Sequence, residues 1–579
     1  GKTVATHITV SEGFTNPKIA IGDGYVIALK ADGTIWGWGS NTNGRVGIDT
    51  ATPVIATPTR IDQYINPNND QRFDLDAETI VDIAAGPDHV LAVDKNGQVY
   101  AWGMNNYGQL GISAYKYDSA SLPVLVKALS NVFAVKVAAG ADYSVVLTDD
   151  GYVYSFGNNT RGQLGTADVN GSQHPTPVLM RGVGGNGTLG GVVDIAAGAA
   201  HTMLLLGNKT MWIVGDNTEK QLGVDTTKDG NTYTATIVEV DLPVDANSST
   251  GDKVEAAALS AGPYNSAFMT ADGRAFVWGN NQYYQVLNDA AGEKVSLVSQ
   301  INIPNETSGI VDLQFGGSRS AQTHIAALTD SGKVYTWGAG SRGQIGDNSQ
   351  TEKVSKPTYI PVNNTNVWGV AVGGTNTSAI LTDGYVYTWG ASDLGQIGNG
   401  TAGQSSDTET NELVPAKTGE DYISLDEYFV TLHEGETSVI NPVYNKFFNV
   451  IQNTDSSVNF SASSINGNIA SVSGLTINPV STGKTQIIVS GGGRQTTVEV
   501  TVLMNGYKTL PQVAAGEGFT VALDKDGKVY TWGKNDLGQL GDQGKENRIV
   551  PTEITFDFGN PSNYITRIET GNGHTIAVD

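Results

Sequence analysis

The stretch VDIAAGPDHVLAVDKNGQVYAWGMNNYGQLG, residues 81–111, is one of eight similar copies along the chain. Another copy, PQVAAGEGFTVALDKDGKVYTWGKNDLGQLG, occupies residues 511–541. Each copy holds short apolar segments, a tight turn, and then a Trp-Gly step or a close variant of it. These steps lie about 50–65 residues apart, except across one gap. Strand-built repeats at this period predict a toroidal β-propeller.

Each copy has the pattern of one antiparallel sheet. In residues 81–111, the segments 83–86 and 89–93 read as strands, and Asn96-Gly97 is a hairpin turn because both residues tolerate positive φ angles. The next segment alternates apolar and polar residues, so one of its faces is buried. We expect the aromatic residue before the glycine to pack between adjacent sheets. The residues with this structural role are Trp38, Trp102, Phe156, Trp278, Trp337, Trp389 and Trp532.

The composition limits the classes of partner. The chain has 579 residues, 58 acidic against 34 basic, and a formal net charge of −24. Because nucleic acid binding relies on basic surfaces that release counterions, we expect no nucleic acid partner. No apolar run is long enough to span a bilayer, so we expect no membrane insertion. The chain has no cysteine, a composition common among exported bacterial proteins.

No catalytic constellation stands out. His89, His201, His324 and His574 occupy one position of the repeat, where other copies carry tyrosine or phenylalanine. A histidine that an aromatic residue can replace is interpreted as a packed structural side chain. The segment 524–527, DKDG, resembles the start of a calcium loop but lacks the distal glutamate, so we interpret it as a turn. We predict no catalytic residue, no cofactor and no metal site, and therefore no enzyme.

The blocks AAG-x-x-H, DG-x-VY-x-WG and N-x-x-GQLG resemble the repeats of the regulator of chromosome condensation family. The resemblance implies a propeller, typically of seven blades. That family includes a nuclear exchange factor for a small GTPase that docks on nucleosomes, a secreted bacterial inhibitor of β-lactamases, and many bacterial surface proteins. The nuclear role needs a basic surface, whereas this chain is strongly acidic. We therefore identify the repeats as the bacterial type.

A segment of about 85 residues interrupts the repeats between Gly398 and Gly516. It holds short strand patterns separated by turn residues, at the size of a small β-sandwich. Its motifs, among them residues 423–425, 430–432 and 498–502, resemble a bacterial immunoglobulin-like domain of group 2. Phe460 stands where that family often has tryptophan. Since such domains are typical of envelope proteins, the resemblance implies a secreted protein of the bacterial cell surface.

These patterns predict three regions: propeller repeats one to seven at 1–416, the immunoglobulin-like domain at 417–504, and a further repeat and a half at 505–579. We expect an all-β fold of seven blades, with eight as the alternative. The half-copy at 565–579 lacks its hairpin partner. It either pairs with residues 3–10 to fasten the ring, or belongs to a second ring that other chains complete. The second outcome predicts self-association into a filament or array.

The sequence leaves several functions open. We expect an extracellular, non-enzymatic scaffold that binds protein or glycan for adhesion, or that assembles into a surface structure. The alternatives are an inhibitor of an enzyme such as a β-lactamase, and a polysaccharide-active enzyme. Binding residues are expected where the repeats are interrupted, because function on such scaffolds lies on loops. The candidate interface residues are Tyr64, Phe73, Tyr115, Tyr117, Tyr283 and Tyr284. These aromatic residues could equally cover small cores of the insertions themselves.

Overall fold

A computed structural model describes residues 15–75, 78–112, 118–168, 173–224, 232–287, 294–316, 322–363, 366–400, 402, 411–447, 458–555, 564–571 and 573–578. The described residues form strands joined by turns, with three short 3₁₀ helices at Thr42–Gly44, Lys127–Leu129 and Val183–Gly185. The all-β class is therefore confirmed. The chain divides into a first unit, Gly1–Glu420 with Lys446–Asn453, and a second unit, Asp421–Asn445 with Thr454–Asp579.

The first unit contains seven sheets in the residues described, and in six of them the strand order follows the chain. Sheet one contains β1 (Lys18–Ile21), β2 (Tyr25–Leu29), β3 (Ile35–Ser40) and β4 (Val54–Ile61), and sheet two contains β5 (Gln63–Asn66), β6 (Gln71–Asp74), β7 (Ile80–Ala85), β8 (His89–Asp94), β9 (Val99–Met104) and β10 (Ser119–Leu125). Sheet three contains β11 (Ala134–Ala139), β12 (Tyr143–Thr148), β13 (Val153–Gly157) and β14 (His174–Leu179). Sheet four contains β15 (Val192–Ala197), β16 (His201–Leu206), β17 (Met211–Asp216) and β18 (Tyr233–Glu239). Sheet five contains β19 (Ala258–Ala261), β20 (Asn265–Met269), β21 (Ala275–Asn280) and β22 (Lys294–Ile301). Sheet six contains β23 (Ile310–Phe315), β24 (His324–Thr329), β25 (Val334–Ala339) and β26 (Lys353–Ile360). Sheet seven contains β27 (Val367–Val372), β28 (Asn376–Leu381), β29 (Val386–Gly390) and β30 (Glu412–Thr418).

The tight turns of the repeat come from local hydrogen bonds. In sheet two, Asp94 Oδ1 accepts the amide protons of Asn96 and Gln98, both at 2.8 Å. Gly97 takes a φ of 75°, which a side chain would disfavour. The turn sets the register, in which Val90 faces Trp102 across β8 and β9. In the second unit, Asp524 accepts the amides of Asp526 and Lys528 in the same way, so the DKDG segment is a turn there too.

The first strands of consecutive sheets lie side by side. β1 contacts β7, β7 contacts β11, and the series continues through β15, β19 and β23 to β27, which contacts β1. The first strand of each later sheet also packs on the second strand of the sheet before it, as β7 does on β2. The second strands β2 and β8 are buried along their whole length. The seven sheets are thus joined in a closed series within the first unit.

In five of the seven sheets of the first unit, a repeat tryptophan binds the preceding sheet. Trp38, Trp102, Trp278, Trp337 and Trp389 are each 0% exposed. Each indole N–H donates to the backbone carbonyl of one residue in the turn that ends the preceding repeat. The pairs are Trp38 with Gln396 at 3.0 Å, Trp102 with Arg45 at 3.2 Å, Trp278 with Gln221 at 2.8 Å, Trp337 with Gln285 at 3.2 Å, and Trp389 with Gln344 at 3.0 Å.

Glycine makes room for this contact. A Cβ on Gly398 would lie 2.8 Å from the indole nitrogen of Trp38, and one on Gly346 would lie 2.6 Å from that of Trp389. Both glycines have positive φ angles, at 74° and 85°. The final glycine of the Gly-Gln-Leu-Gly block is therefore required by the tryptophan of the next sheet, and the two motifs act as one inter-sheet contact.

The second unit begins with strands of the inserted segment. They are β31 (Tyr422–Leu425), β32 (Phe429–His433), β33 (Ser438–Val439), β34 (Pro442–Asn445), β35 (Ser461–Ser464), β36 (Ala470–Ser473), β37 (Thr476–Pro479), β38 (Gly483–Gly491) and β39 (Arg494–Leu503). One sheet has the order β32-β39-β38-β35, with β32 and β39 parallel. The other sheets are β33-β37-β36 and β31-β34. Their apolar core includes Leu432, Ile477, Ile487 and Val500.

The second unit ends with one complete sheet and one strand pair. The sheet contains β40 (Gln512–Gly516), β41 (Phe519–Leu523), β42 (Val529–Gly533) and β43 (Arg548–Ile554). The pair contains β44 (Arg567–Thr570) and β45 (Thr575–Val578), and β44 contacts both β40 and β41. Trp532 is only half-buried, unlike the five tryptophans at the same repeat position of the first unit. Residues 3–10, the expected alternative partner of the half-copy, lie outside the described residues.

We predict that Trp337→Ala lowers the free energy of unfolding by about 3–5 kcal/mol, because it removes a fully buried indole and leaves a cavity between two sheets. Trp532→Ala should lower the free energy of unfolding by clearly less, because the Trp532 side chain is only half-buried. Thermal unfolding followed by calorimetry and circular dichroism measures both effects. Equal losses from the two substitutions would contradict the proposed role of the inter-sheet contact.

Candidate interaction surfaces

The hairpin β5–β6 widens sheet two at its outer edge. β5 pairs with β10 through Val124 and Ile65, so the sheet has six strands. The Tyr64 and Phe73 rings stack across the hairpin with centroids 5.5 Å apart. Tyr64 also meets the buried Tyr100 edge-on at 5.1 Å. The hairpin is therefore anchored to the core of the first unit through Tyr64, and it carries Phe73 on its outer strand.

The two sides of this aromatic stack differ in environment. Burial, together with the charges of Glu78 and Asp94, raises the pKa of Tyr64 above its ordinary value. Burial and Asp94 likewise raise the pKa of Glu78. Phe73, by contrast, is 39% exposed, and every residue of β6 is exposed. The structure thus presents one large apolar ring to solvent on a rigid support, which suits an interface.

The other candidate aromatic residues lie elsewhere. Tyr283 is 5% exposed, with the Lys353 ammonium 4.8 Å above its ring. Tyr284 is half-buried and takes the glycine position of the repeat turn with a φ of 64°. These two tyrosines are therefore parts of the turn that accepts Trp337. Tyr115 and Tyr117 lie outside the described residues. The structure does not bring Tyr283 and Tyr284 together with Phe73 in one site.

The histidines of the repeat link neighbouring sheets. The Nε2 atoms of His89, His201 and His324 lie 2.9, 3.0 and 2.7 Å from hydroxyl oxygens of the following sheet. The hydroxyl partners are Ser144, Ser266 and Thr377. All three histidines are 0% exposed. Tyr25 and Tyr143, at the same position, donate to backbone carbonyls of the next sheet. The interpretation of these residues as packed side chains agrees with this geometry.

A cavity of about 250 Å³ lies between the first strands of the seven sheets. Small residues such as Ala84, Ala138 and Ala196 line much of it. Its volume lies just below the range of about 300–1,000 Å³ that is usual for small-molecule sites. Among the residues described, no group of three or more histidine, aspartate or glutamate side chains could hold a metal ion.

Charged residues at one position of the first strands connect the sheets. This position lies four residues before the glycine that follows each strand, and its charged members in the first unit are Lys18, Asp82, Lys136, Asp194 and Asp312. Lys18 Nζ lies 2.7 Å from Asp82 Oδ1, and Lys136 pairs with Asp194. Asp82 also accepts the amide of Val137, and Asp194 that of Leu259, both at 3.0 Å. The carboxylates of Asp82 and Asp194 thus link consecutive sheets.

The sequence interpretation did not identify this charged set. The signal was present, because the charge alternates between Lys18, Asp82, Lys136 and Asp194 at one position of consecutive repeats. It could be read only with the knowledge that the first strands are neighbours. A polysaccharide-active enzyme would need convergent carboxylates, whereas Asp82 and Asp194 of this set each bind a lysine and a backbone amide.

The fold and these surfaces define a repeat-built β-propeller protein whose exposed features suit binding. Residues 2–251 match the regulator of chromosome condensation (RCC1)-like domain. Residues 331–380 and 526–578, and residues 256–285 and 512–539, match two models of the RCC1 repeat. The repeats of this chain, in both units, therefore belong to the regulator of chromosome condensation family.

Curated relatives share this family. The human E3 ubiquitin-protein ligase HERC2 is 29% identical over 386 residues, which are 66% of this chain but 7% of the ligase. The ultraviolet-B receptor UVR8 of Arabidopsis thaliana is 25% identical over 402 residues, 69% of this chain and 81% of the receptor. The chain also covers only 26% of a Caenorhabditis elegans homologue of the X-linked retinitis pigmentosa GTPase regulator.

Solved structures agree on the fold. Human WBSCR16 superposes with a TM-score of 0.54 at 21% identity, covering 67% of this chain and 95% of that protein. Prp20p from Saccharomyces cerevisiae, whose structure was studied with its binding to Gsp1p and histones, gives a TM-score of 0.54 at 20% identity and covers 70% of this chain and 88% of its own. No helix in the described parts of the chain has the length and apolar character needed to cross a membrane.

We predict that acid destabilises the first unit through its buried histidines. Burial lowers the pKa of His201 to about 4 and that of His324 to about 3, against 6.5 ordinarily. The folded state holds them neutral while the unfolded chain takes up protons, so stability is full above pH 6.5 and falls as the pH drops toward the folded pKa values. At pH 4.5 each of these histidines lowers the free energy of unfolding by about 2–3 kcal/mol relative to pH 7.

The test compares urea unfolding between pH 7 and pH 4.5. His324→Asn, which places the residue found at 265 and 376 in this position, should be less stable at pH 7 but lose less on acidification. His433→Asn is the control, because a hydrogen bond to the Tyr507 carbonyl raises the pKa of His433. If the acid-dependent loss is the same in His324→Asn as in the unaltered protein, the assignment is wrong.

Proposed function

We propose that this chain is a non-enzymatic, protein-binding propeller scaffold of a bacterial cell surface. The observation that carries the proposal is the hairpin β5–β6, which holds the Phe73 ring in solvent on a support anchored by Tyr64 and Tyr100. Large aromatic residues dominate the energy of protein interfaces when they are held rigidly. The candidate docking surface is therefore the outer face of this hairpin.

Related proteins support a protein partner. The Saccharomyces cerevisiae relative was studied for its binding to Gsp1p and histones, and a second structure shows Kap60 bound to yeast RCC1. A relative from Bos taurus, 28% identical over 53% of this chain and 62% of its own length, is a secretion-regulating guanine nucleotide exchange factor. We propose a protein partner for this chain as well, with glycan as the alternative ligand at a cell surface.

An extracellular location is part of the proposal. The chain has no cysteine, and its net charge of −24 disfavours contact with nucleic acid. We propose that β31–β39 form a bacterial immunoglobulin-like domain inserted into the repeats, a kind of module typical of envelope proteins. The seven sheets of the first unit then form a complete ring of seven blades. An antibody against the chain should label intact, unpermeabilised cells of the source organism, and labelling only after permeabilisation would overturn the location.

We predict that Phe73→Ala weakens partner binding about 5- to 30-fold, because truncating an aromatic hot spot of an interface costs about 1–2 kcal/mol. The labelled full chain is first screened on arrays of extracellular proteins and of glycans, and each hit is titrated with both variants. Leu297→Ala, which removes another exposed apolar side chain on β22, is the matched control and should bind normally.

Two results would contradict this function. One is unchanged affinity of Phe73→Ala for every ligand found. The other is accelerated nucleotide release from a small GTPase such as Gsp1p, which would make the chain an exchange factor. Loss of β-lactamase activity on mixing with the protein would instead support the inhibitor alternative.

A further inference from the structure

The cavity between the first strands has one wall that departs from the repeat. Half-buried side chains alternate with buried ones along these strands, as in β1 and β23. Two residues after the charged position, a second position lines the cavity in all seven sheets. It holds alanine in five sheets, but Ser260 in sheet five and Gln314 in sheet six. The wall formed by sheets five and six is therefore the polar one at this level.

The charged position changes at the same wall. In each of the two ion pairs of this position, a lysine on one sheet binds the aspartate on the next sheet. Continued to sheet six, this order would give Asp312 a lysine from sheet five. Sheet five instead has Ala258, and sheet seven, on the other side, has Gly369. A carboxylate therefore stands between two neighbours that have no charged side chain to offer it.

The contacts of Asp312 compensate its charge only in part. The Gln314 side-chain amide donates to Asp312 Oδ1 at 2.7 Å, and the backbone amides of Val370 and Leu313 also donate to this carboxylate. Burial nevertheless raises the pKa of Asp312, against these hydrogen bonds and the attraction of Lys18. A buried carboxylate is costly unless a cation accompanies it. The other two aspartates of the cavity that pair with lysines meet this requirement, and Asp312 meets it less completely.

The cavity has room for the missing cation. Its volume is about 250 Å³, and its lining includes the turn residues Pro87, Ala141 and Pro263 at one end of the first strands. Alanine in place of lysine at residue 258 omits three methylene groups and an ammonium group, which together have the size of n-propylammonium. The neighbouring Ser260 hydroxyl and Gln314 carbonyl are acceptors, so this wall offers three groups that suit an ammonium ion.

We propose that the cavity binds a small primary ammonium ion, whose nitrogen pairs with Asp312 in the place of a lysine from sheet five. Its three N–H donors match the carboxylate, the serine hydroxyl and the glutamine carbonyl of this wall. Its short alkyl part lies against alanine side chains. Neutral and anionic molecules of the same size lack the charge that the carboxylate requires. Binding here does not depend on the candidate docking surface at Phe73.

Titration of the full chain with n-propylammonium chloride, followed by ligand-observed NMR at constant ionic strength, tests the proposal. Binding should saturate with a millimolar dissociation constant, as expected for so small a ligand, and 1-propanol should not saturate. Asp312→Asn should weaken binding at least about tenfold, while its remaining oxygen can still accept the Val370 amide. Asp241→Asn is the control, because this carboxylate of the same unit is 83% exposed and should leave binding unchanged.

Ala258→Lys supplies the cation from within the chain. It should abolish n-propylammonium binding and raise the midpoint of thermal unfolding by about 1–3 °C, because the new lysine pairs with Asp312. In the Asp312→Asn background the same substitution should give no such rise. Ala258→Met, which adds similar length without charge, should also give no rise that depends on Asp312. The calorimetric transitions show at the same time that each variant is folded.

Three results would overturn the proposal. One is the absence of saturable n-propylammonium binding to the unaltered protein. Another is equal affinity in Asp312→Asn and the unaltered protein, which would place any bound ammonium elsewhere. The third is unchanged binding in folded Ala258→Lys, since a lysine at this position would occupy the proposed site.

Discussion

A buried tryptophan that contacts the preceding sheet is the interaction on which five of the seven sheets of the first unit depend. The indole N–H of a repeat tryptophan donates to a carbonyl in the turn that ends the preceding repeat, and the final glycine of that turn leaves space for the ring. The hydrogen bond satisfies a donor that would otherwise be buried without a partner, while the ring fills the gap between two sheets. Each sheet therefore depends on its neighbour, and an isolated repeat would leave its largest apolar side chain in water.

The two units differ in how completely neighbouring sheets bury each repeat. In the first unit the series of first strands returns from β27 to β1, so every described sheet has neighbours on both sides. The buried histidines on second strands, and the alternating lysines and aspartates on first strands, add polar links between the same sheets. In the second unit, Trp532 is half-buried and Val513 is exposed. The same repeat thus forms a closed series of sheets in the first unit and a less deeply buried sheet in the second.

Binding surfaces on this protein are departures from the repeat. The hairpin β5–β6 extends sheet two and holds Phe73 outward, while the residues that obey the repeat are taken up in packing. The sequence indicated Tyr64 and Phe73 as candidate interface residues because they lie where the repeats are interrupted. It misled at Tyr283, because a tyrosine in place of a turn residue looks exposed until the turn is seen to lie beneath Lys353. Exposure depends on neighbours distant in the chain, which the local pattern does not contain.

The amino-acid sequence alone determined the all-β class, the repeated sheets with their turns, and the structural roles of Trp38, Trp102, His89 and His324, since these follow from periodicity and from the residues that share one position. The tertiary structure alone decided that Lys18 meets Asp82, that Tyr64 anchors Phe73, and that Trp532 lacks the cover its counterparts have. The physical reason is that strand patterns record which face of each sheet is apolar. Which sheet covers that face is set by the order in which whole sheets pack around one another.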